Sequence, residues 1–159
     1  MASGSLTLSE LWELEVGHTN FFGAERSIIA RIQDQVPTLT TVASSSLIAG
    51  SKDITDLLPA AFVEPGPGSV GDGSGYGVAG IVQAWIVIVA VKHWLTARGD
   101  SSAAQLAGGY MYQIVTALEG WSPGELYEPM VFGGYAEPIS NAGFAAFELS
   151  FSVNFALPE

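Results

Sequence analysis

Gly143-Phe-Ala-Ala-Phe-Glu-Leu-Ser-Phe-Ser-Val-Asn-Phe-Ala-Leu157 is the stretch that decides the fold class. From Phe147 onward its side chains alternate. Phe147, Leu149, Phe151, Val153 and Phe155 share one face of an extended chain, and Glu148, Ser150, Ser152 and Asn154 share the other. A period of two marks a strand with one face in a core and the other wet or at a polar interface. Burying five such apolar side chains, at roughly 1.5–3 kcal/mol each, is worth on the order of 10 kcal/mol.

A second strand is predicted upstream, over residues 78–94. Val82, Ala84, Ile86, Ile88 and Ala90 point one way, and Trp85, Val87, Val89 and Val91 the other. Both faces are apolar, so both are expected to be covered. Between the two strands, residues 101–119 read as a helix with Asp100 as its cap and Gly120 in the position after its end. Its expected apolar face holds Leu106, Tyr110, Ile114 and Leu118, with Ala103 and Ala107 alongside. Gly108-Gly109 weakens the middle by about 1 kcal/mol per glycine, and such pairs often let another backbone approach.

Further upstream, residues 22–36 read as a helix with Ile28, Ile29, Ile32 and Val36 on one face, stopped by Pro37. Residues 38–42 and 46–49 are short β-prone pieces, 53–58 a single turn, and 59–63 a short buried strand. Residues 64–77 are too rich in glycine and proline for a regular element, and long for a hairpin loop. The predicted class is α+β: a mostly antiparallel β-sheet with two main α-helices packed on one face. Residues 1–20 form an N-terminal arm, and residues 21–159 a single domain. In the arm, Leu6, Leu8, Leu11, Trp12, Leu14 and Val16 are interleaved with Glu10, Glu13 and Glu15. The pattern alternates in part and suits packing either on another subunit or on its own domain.

The totals restrict what the chain does. Its 159 residues carry 16 acids, 5 bases and no cysteine, for a formal charge of −11. Disulfides and thiolate metal sites are excluded. The bases Arg26, Arg31, Lys52, Lys92 and Arg98 are scattered, whereas phosphate contacts need a basic face. Specific DNA binding is therefore not expected. An acidic surface suits solubility, and would also let DNA slide past without sticking. The greasiest run, residues 84–91, falls far below the roughly 18 residues of a membrane-spanning helix. No basic region precedes an apolar run at the N-terminus, so a signal peptide is not expected.

Several motifs invite a catalytic reading, and each lacks its complement. Gly75-Tyr-Gly-Val-Ala-Gly80 with Val82 and Lys92 resembles the glycine loop and strand lysine of a kinase, but no His-Arg-Asp or Asp-Phe-Gly occurs. A dinucleotide site needs a helix after the glycines, where a strand is predicted here. His18 and His93 have no second ligand at metal spacing. There is no Gly-x-Ser-x-Gly elbow. Asp72 in Gly-Asp-Gly lacks the further acids of a calcium loop. Glu125 and Glu128 stand three apart, as an acid–base pair could, but they suit a solvated edge better. No catalytic residue, cofactor or metal is expected. The candidate interaction residues are Trp12 in the arm, Gly66, Asp72 and Tyr76 in the Gly/Pro segment, and Trp121, Glu125, Tyr127, Phe132 and Tyr135 in the aromatic connection that follows the second helix. Exposed aromatics are typical of protein interfaces, although Trp121 suits a core role equally.

Four stretches carry a family resemblance. They are Pro59-Ala-Ala-Phe-Val63, Gln83-Ala-Trp-Ile-Val-Ile-Val89, Ala117-Leu-Glu-Gly-Trp-Ser-Pro123 and the terminal strand. Together, and in this order, they resemble the Mu-like phage tail terminator proteins, also called tail completion proteins, over about residues 22–157. The resemblance implies a non-enzymatic homo-oligomer, usually a hexameric ring, that sits on the tail tube protein. Such a ring ends tube growth and offers a surface to the head–tail connector or neck proteins, while phage DNA passes through without specific binding. It implies assembly in the host cytoplasm, residence in the virion tail and no membrane. The alternatives are another neck, connector or tube component of similar fold, or a small ligand-binding module built on the glycine loop near Lys92.

Overall fold

The computed structural model describes residues 20–50, 53–70, 80–92, 102–141 and 143–156. Trp12, Asp72 and Tyr76, the arm over residues 1–19, both histidines and the expected cap Asp100 lie outside the described residues.

The chain order is α1 (Ala24–Gln35), β1 (Thr41–Ser44), α2 (Ser46–Gly50), a 3-10 turn (Ile54–Leu57), β2 (Ala60–Pro65), β3 (Ser69–Val70), β4 (Gly80–Lys92), α3 (Ser102–Leu118), β5 (Val131–Tyr135), β6 (Ile139–Asn141) and β7 (Phe144–Ala156). The sheet runs β1-β2-β4-β7-β5, with β3 paired to the start of β4 and β6 to the start of β7. β1 and β2 are parallel and every other pair is antiparallel. This is the predicted α+β class.

β4 and β7 form the spine. They pair from Gly80↔Ala156 to Lys92↔Phe144, so the two most strongly patterned segments of the chain lie side by side. Their register places Trp85, Val87, Val89 and Val91 on the same face as Phe151, Leu149, Phe147 and Ala145. All eight are buried, beneath Ile28, Ile32 and Val36 from α1 and its end and Ala107, Ile114 and Leu118 from α3. Helical and strand periodicities thus converge on one core, as a helix stripe and a sheet face each require.

Among the described residues, the opposite face of the sheet is covered at one end. There Ala60, Phe62 and Ala90 are buried under Leu58, with Ile48, Ile54 and Leu57 packed against them. Asp53 caps the 3-10 turn, its carboxylate accepting from the Thr55 amide at 3.0 Å and from the Thr55 hydroxyl at 2.6 Å. Those two donors hold the Asp53 carboxyl below its usual range. Toward the other end Val82, Ala84 and Ile86 are half-buried, and no described helix lies over them. Among the described residues, the expected cover on both faces of β4 is found on one face and on part of the other.

Four local expectations change. Residues 46–49 are helical rather than extended, because Ser46–Gly50 folds as a short turn over the second cluster. The Gly/Pro segment does contain regular structure: Glu64 and Pro65 close β2, and Ser69 and Val70 pair with Val82 and Ile81. Between them the register slips by one residue, and Gly66 presses against β4. A Cβ at Gly66 would stand 3.0 Å from the Ala84 Cβ, tighter than ordinary contact, so Ala84 would have to give way. The aromatic connection around Gly133-Gly134 is a strand, β5, with a register shift between Phe132 and Gly134 and φ of +120° at Gly134. That backbone conformation favours glycine. Finally, Leu106 is exposed. The buried stripe of α3 runs through Ala103, Ala107, Ile114 and Ala117–Leu118, one residue round from Leu106.

Candidate functional site

The Ala-Leu-Glu-Gly-Trp-Ser-Pro motif ends α3 and sends the chain back to the sheet edge. Gly120, at φ +77°, takes the left-handed position after the helix, and the Trp121 amide donates to Leu118 O at 3.0 Å. The Gly120 amide donates to Met130 O and the Met130 amide to Trp121 O, both at 2.9 Å. The Glu119 carboxylate accepts from the Phe132 amide. Arg31 reaches across from α1, its Nε donating to Ala117 O at 3.0 Å and its guanidinium lying 5.6 Å from the Trp121 ring centroid. The motif is thus a clamp joining α1, α3 and β5.

The rest of the connection is held with equal care. The Ser122 hydroxyl stands 2.8 Å from Gly124 O and 2.7 Å from Tyr127 O, either of which can take its proton. Tyr127 stacks on Phe155 at 5.0 Å, and Phe132 meets Phe151 at 5.4 Å. Glu128 accepts from the Asn154 side-chain amide at 2.8 Å. Burial raises the Tyr127 phenol above its ordinary value, partly offset by the backbone of Ala24.

The predicted interaction residues therefore fall into two groups. Trp121, Tyr127 and Phe132 are half-buried and make internal contacts, and Gly66 is fitted against β4. Glu125 and Tyr135 face solvent. Glu125 and Glu128 do not act as a pair, because Glu128 is engaged by Asn154.

The Gln-x-Trp element has a clear structural role. Gln83 is the one buried polar side chain among the described residues. Its Oε1 accepts from the Trp85 indole at 3.2 Å, and its Nε2 donates to Phe21 O. The relay ties the segment before α1 to the spine of the sheet. Asn20 completes the anchor, its Oδ1 accepting from the Phe22 amide at 2.9 Å.

Exposed apolar side chains, of which sequence analysis named only Tyr135 as an interaction residue, lie at the margins of the fold. Val131, Tyr135 and Ile139 line the β5–β6 side, Tyr112 and Leu106 stand on the outer side of α3, and Phe21, Phe22 and Val70 surround a hollow at the open end of the core. β1 and β5 are the two edges of the main sheet path, and neither pairs with a further strand among the described residues. The β1 edge is partly occupied, since Val42 O accepts from the Gln33 side chain at 3.2 Å. Among the described residues no three His, Asp or Glu side chains come together as a metal site, and no helix is long and apolar enough to cross a membrane.

A family model described as phage tail terminator protein matches residues 19–159. The chain belongs to that family. It is a structural protein of the virion tail and not an enzyme. Among solved structures, a chain of the virion of a native gene transfer agent particle superimposes with a TM-score of 0.53 at 17% identity, covering 83% of this chain and 93% of the other. At that identity the likeness shows a shared fold. No curated protein matches. The terminator match begins at residue 19, so it spans the whole described domain and leaves out almost all of the N-terminal arm.

Proposed function

We propose that the chain caps the tail tube as a closed ring of identical subunits, ends tube polymerisation and presents the surface to which the head side of the particle joins. The observation that carries this reading is the terminator-family match over residues 19–159. The short motifs support a reading of the chain within the Mu-like branch of that family.

The surface supports a ring. Among the described residues, β1 and β5 are the edges at opposite ends of one sheet path, and neither pairs with a further strand. Two different surfaces that meet head to tail generate a ring when the rotation closes, and exposed strand edges are ready-made templates for such contact. The half-buried apolar strip of Val82, Ala84 and Ile86 offers further area for a neighbour. The formal charge of −11 suits a channel through which DNA must pass without adhering. The action of the ring is geometric: one face fits the last layer of the tube, and the other lacks the site for the next layer.

Light scattering with negative-stain imaging tests this directly. Discrete rings that bind the ends of preformed tubes are the expected result. Long stacks would identify a tube-like subunit instead, and a monomer indifferent to tube ends at micromolar concentration would overturn the proposal.

A further inference from the structure

Among the described residues, each edge of the main sheet path has one outward backbone group held by a side chain of its own subunit. On β1 the amides of Thr41 and Ser45 donate inward, to Pro59 O at 3.3 Å and Val63 O at 3.0 Å. Backbone groups alternate sides along a strand, so those of Val42 point outward. There the Gln33 side-chain amide donates to Val42 O at 3.2 Å. On β5 the outward residue is Phe132, whose amide donates to the Glu119 carboxylate. The outward residue before it, Met130, is already engaged in the clamp through both its amide and its carbonyl. The two covering side chains are of opposite kind. A donor covers an acceptor on β1, and an acceptor covers a donor on β5. Each stands where the backbone of the other edge would stand if the two edges met.

The topology fixes how two copies would join. β1 and β2 run parallel and the later pairs are antiparallel, so β1 and β5 run in opposite directions. Copies related by rotation about an axis that runs along the strands keep their direction, so β5 of one copy meets β1 of the next antiparallel. In an antiparallel ladder two outward residues exchange both of their hydrogen bonds as one pair. That sets Val42 opposite Phe132 of the next copy. The faces agree as well. Val42 is level with Ala61, and Phe132 with Phe151, and both Ala61 and Phe151 lie in the core beneath the helices. The pair therefore keeps the helices of successive copies on one face of a continuous sheet. Had one edge turned its open-face residues outward, this match would fail.

We propose that β5 of each subunit pairs antiparallel with β1 of the next, with Val42 opposite Phe132, and that Gln33 and Glu119 are latches that hold these edges shut in the free subunit. The pairing rests on the ring reading above. On assembly the Phe132 amide passes from Glu119 to the Val42 carbonyl of the next copy, and the Gln33 amide is released to water. One hydrogen bond replaces another at each edge, so the latches weaken the contact without forbidding it. They also keep free subunits from indiscriminate edge pairing, the hazard of any open strand edge.

The chain has no cysteine, so an introduced pair reports without background. The register places Ala43 opposite Val131 of the next copy, both on the face away from α1 and α3. The Cα atoms of such a pair stand about 4.5 Å apart, within disulfide reach. Inside one subunit the same residues are four strand spacings apart, roughly 19 Å, and cannot bridge. After mild oxidation, Ala43→Cys with Val131→Cys is expected to give covalent multimers at least about 10-fold above Ala43→Cys with Tyr112→Cys. If the unsubstituted chain forms rings and the Val131 combination crosslinks no more than the control, the pairing is overturned and the ring reading stands. If the unsubstituted chain forms no rings, both fall. The latches are read separately, in the full chain. Gln33→Ala and Glu119→Ala are each expected to lower the concentration of half-assembly about 2- to 10-fold, while the Tm of the free subunit stays level or falls. A merely structural role would weaken assembly along with Tm. Unchanged or weaker assembly in either variant overturns the latch at that edge.

Discussion

At the scale of single residues, the buried Gln83 carries the most specific burden. It satisfies the Trp85 indole and the Phe21 carbonyl together, in a setting where an unmatched polar group costs about 1–3 kcal/mol. Gln83→Ala is therefore expected to destabilise the domain by about 2–4 kcal/mol in denaturant titration, more than an exposed glutamine such as Gln113 would. Gln83→Ala should also loosen residues 20–22, read as faster amide exchange there. Tyr127 supplies a pH-dependent counterpart. Its phenol is raised above the ordinary value by burial, so between the unfolded and folded values the native state holds the proton more tightly. Stability from this source is fully present below about pH 10 and falls as pH rises beyond it. Tyr127→Phe should flatten the alkaline limb of a Tm-against-pH curve while leaving the curve near neutrality little changed in slope.

At the scale of elements, α3 contains an unexplained cost. Gly108 and Gly109 sit inside a 17-residue helix, exposed, with no atom within 4 Å of a Cβ built at either. Nothing within the described domain needs them, and each lowers helix stability by about 1 kcal/mol relative to alanine. Gly108→Ala and Gly109→Ala are expected to raise the stability of the isolated subunit by about 0.5–1 kcal/mol each in denaturant titration. The clamp after α3 shows the opposite case. Gly120, at φ +77°, has a conformational reason, so Gly120→Ala should destabilise where the other two stabilise.

At the scale of the whole molecule, the sheet is covered unequally. Among the described residues, one face carries α1, α3 and the main core, and the other is buried beneath α2 and the 3-10 turn. Ile86 is half-buried on the part of that face over which no described helix lies. Ile86→Asp is expected to cost the subunit little, within about 1 kcal/mol, because the side chain already meets water. In the assembly the same charge would be desolvated if a neighbour lies on that strip, so ring formation measured by light scattering should be lost while the melting curve of the subunit is kept. Intact rings from Ile86→Asp would move the contact to another surface.

Much of this architecture was legible in the order of the residues, because its determinants are local. The alternation through Phe147–Phe155 is a property of nine successive residues, and so is the 3.6-residue stripe of Ile28, Ile32 and Val36. Each specifies its own element and its own buried face. The positive φ of Gly120 likewise follows from where a helix must stop. What sequence could not disclose depends on partners far along the chain. β5 and β6 exist because β7 offers them an edge, and the glycine pair of β5 hides that strand from any count of strand-forming residues. The duty of Gln83 appears only once Phe21, sixty-two positions away, is folded back onto it. The two faces of β4 look alike as a list of side chains. Only tertiary packing decides that Trp85 is sealed beneath the helices while Ile86 is left half-open, because burial is set by what crosses over a strand and not by the strand itself.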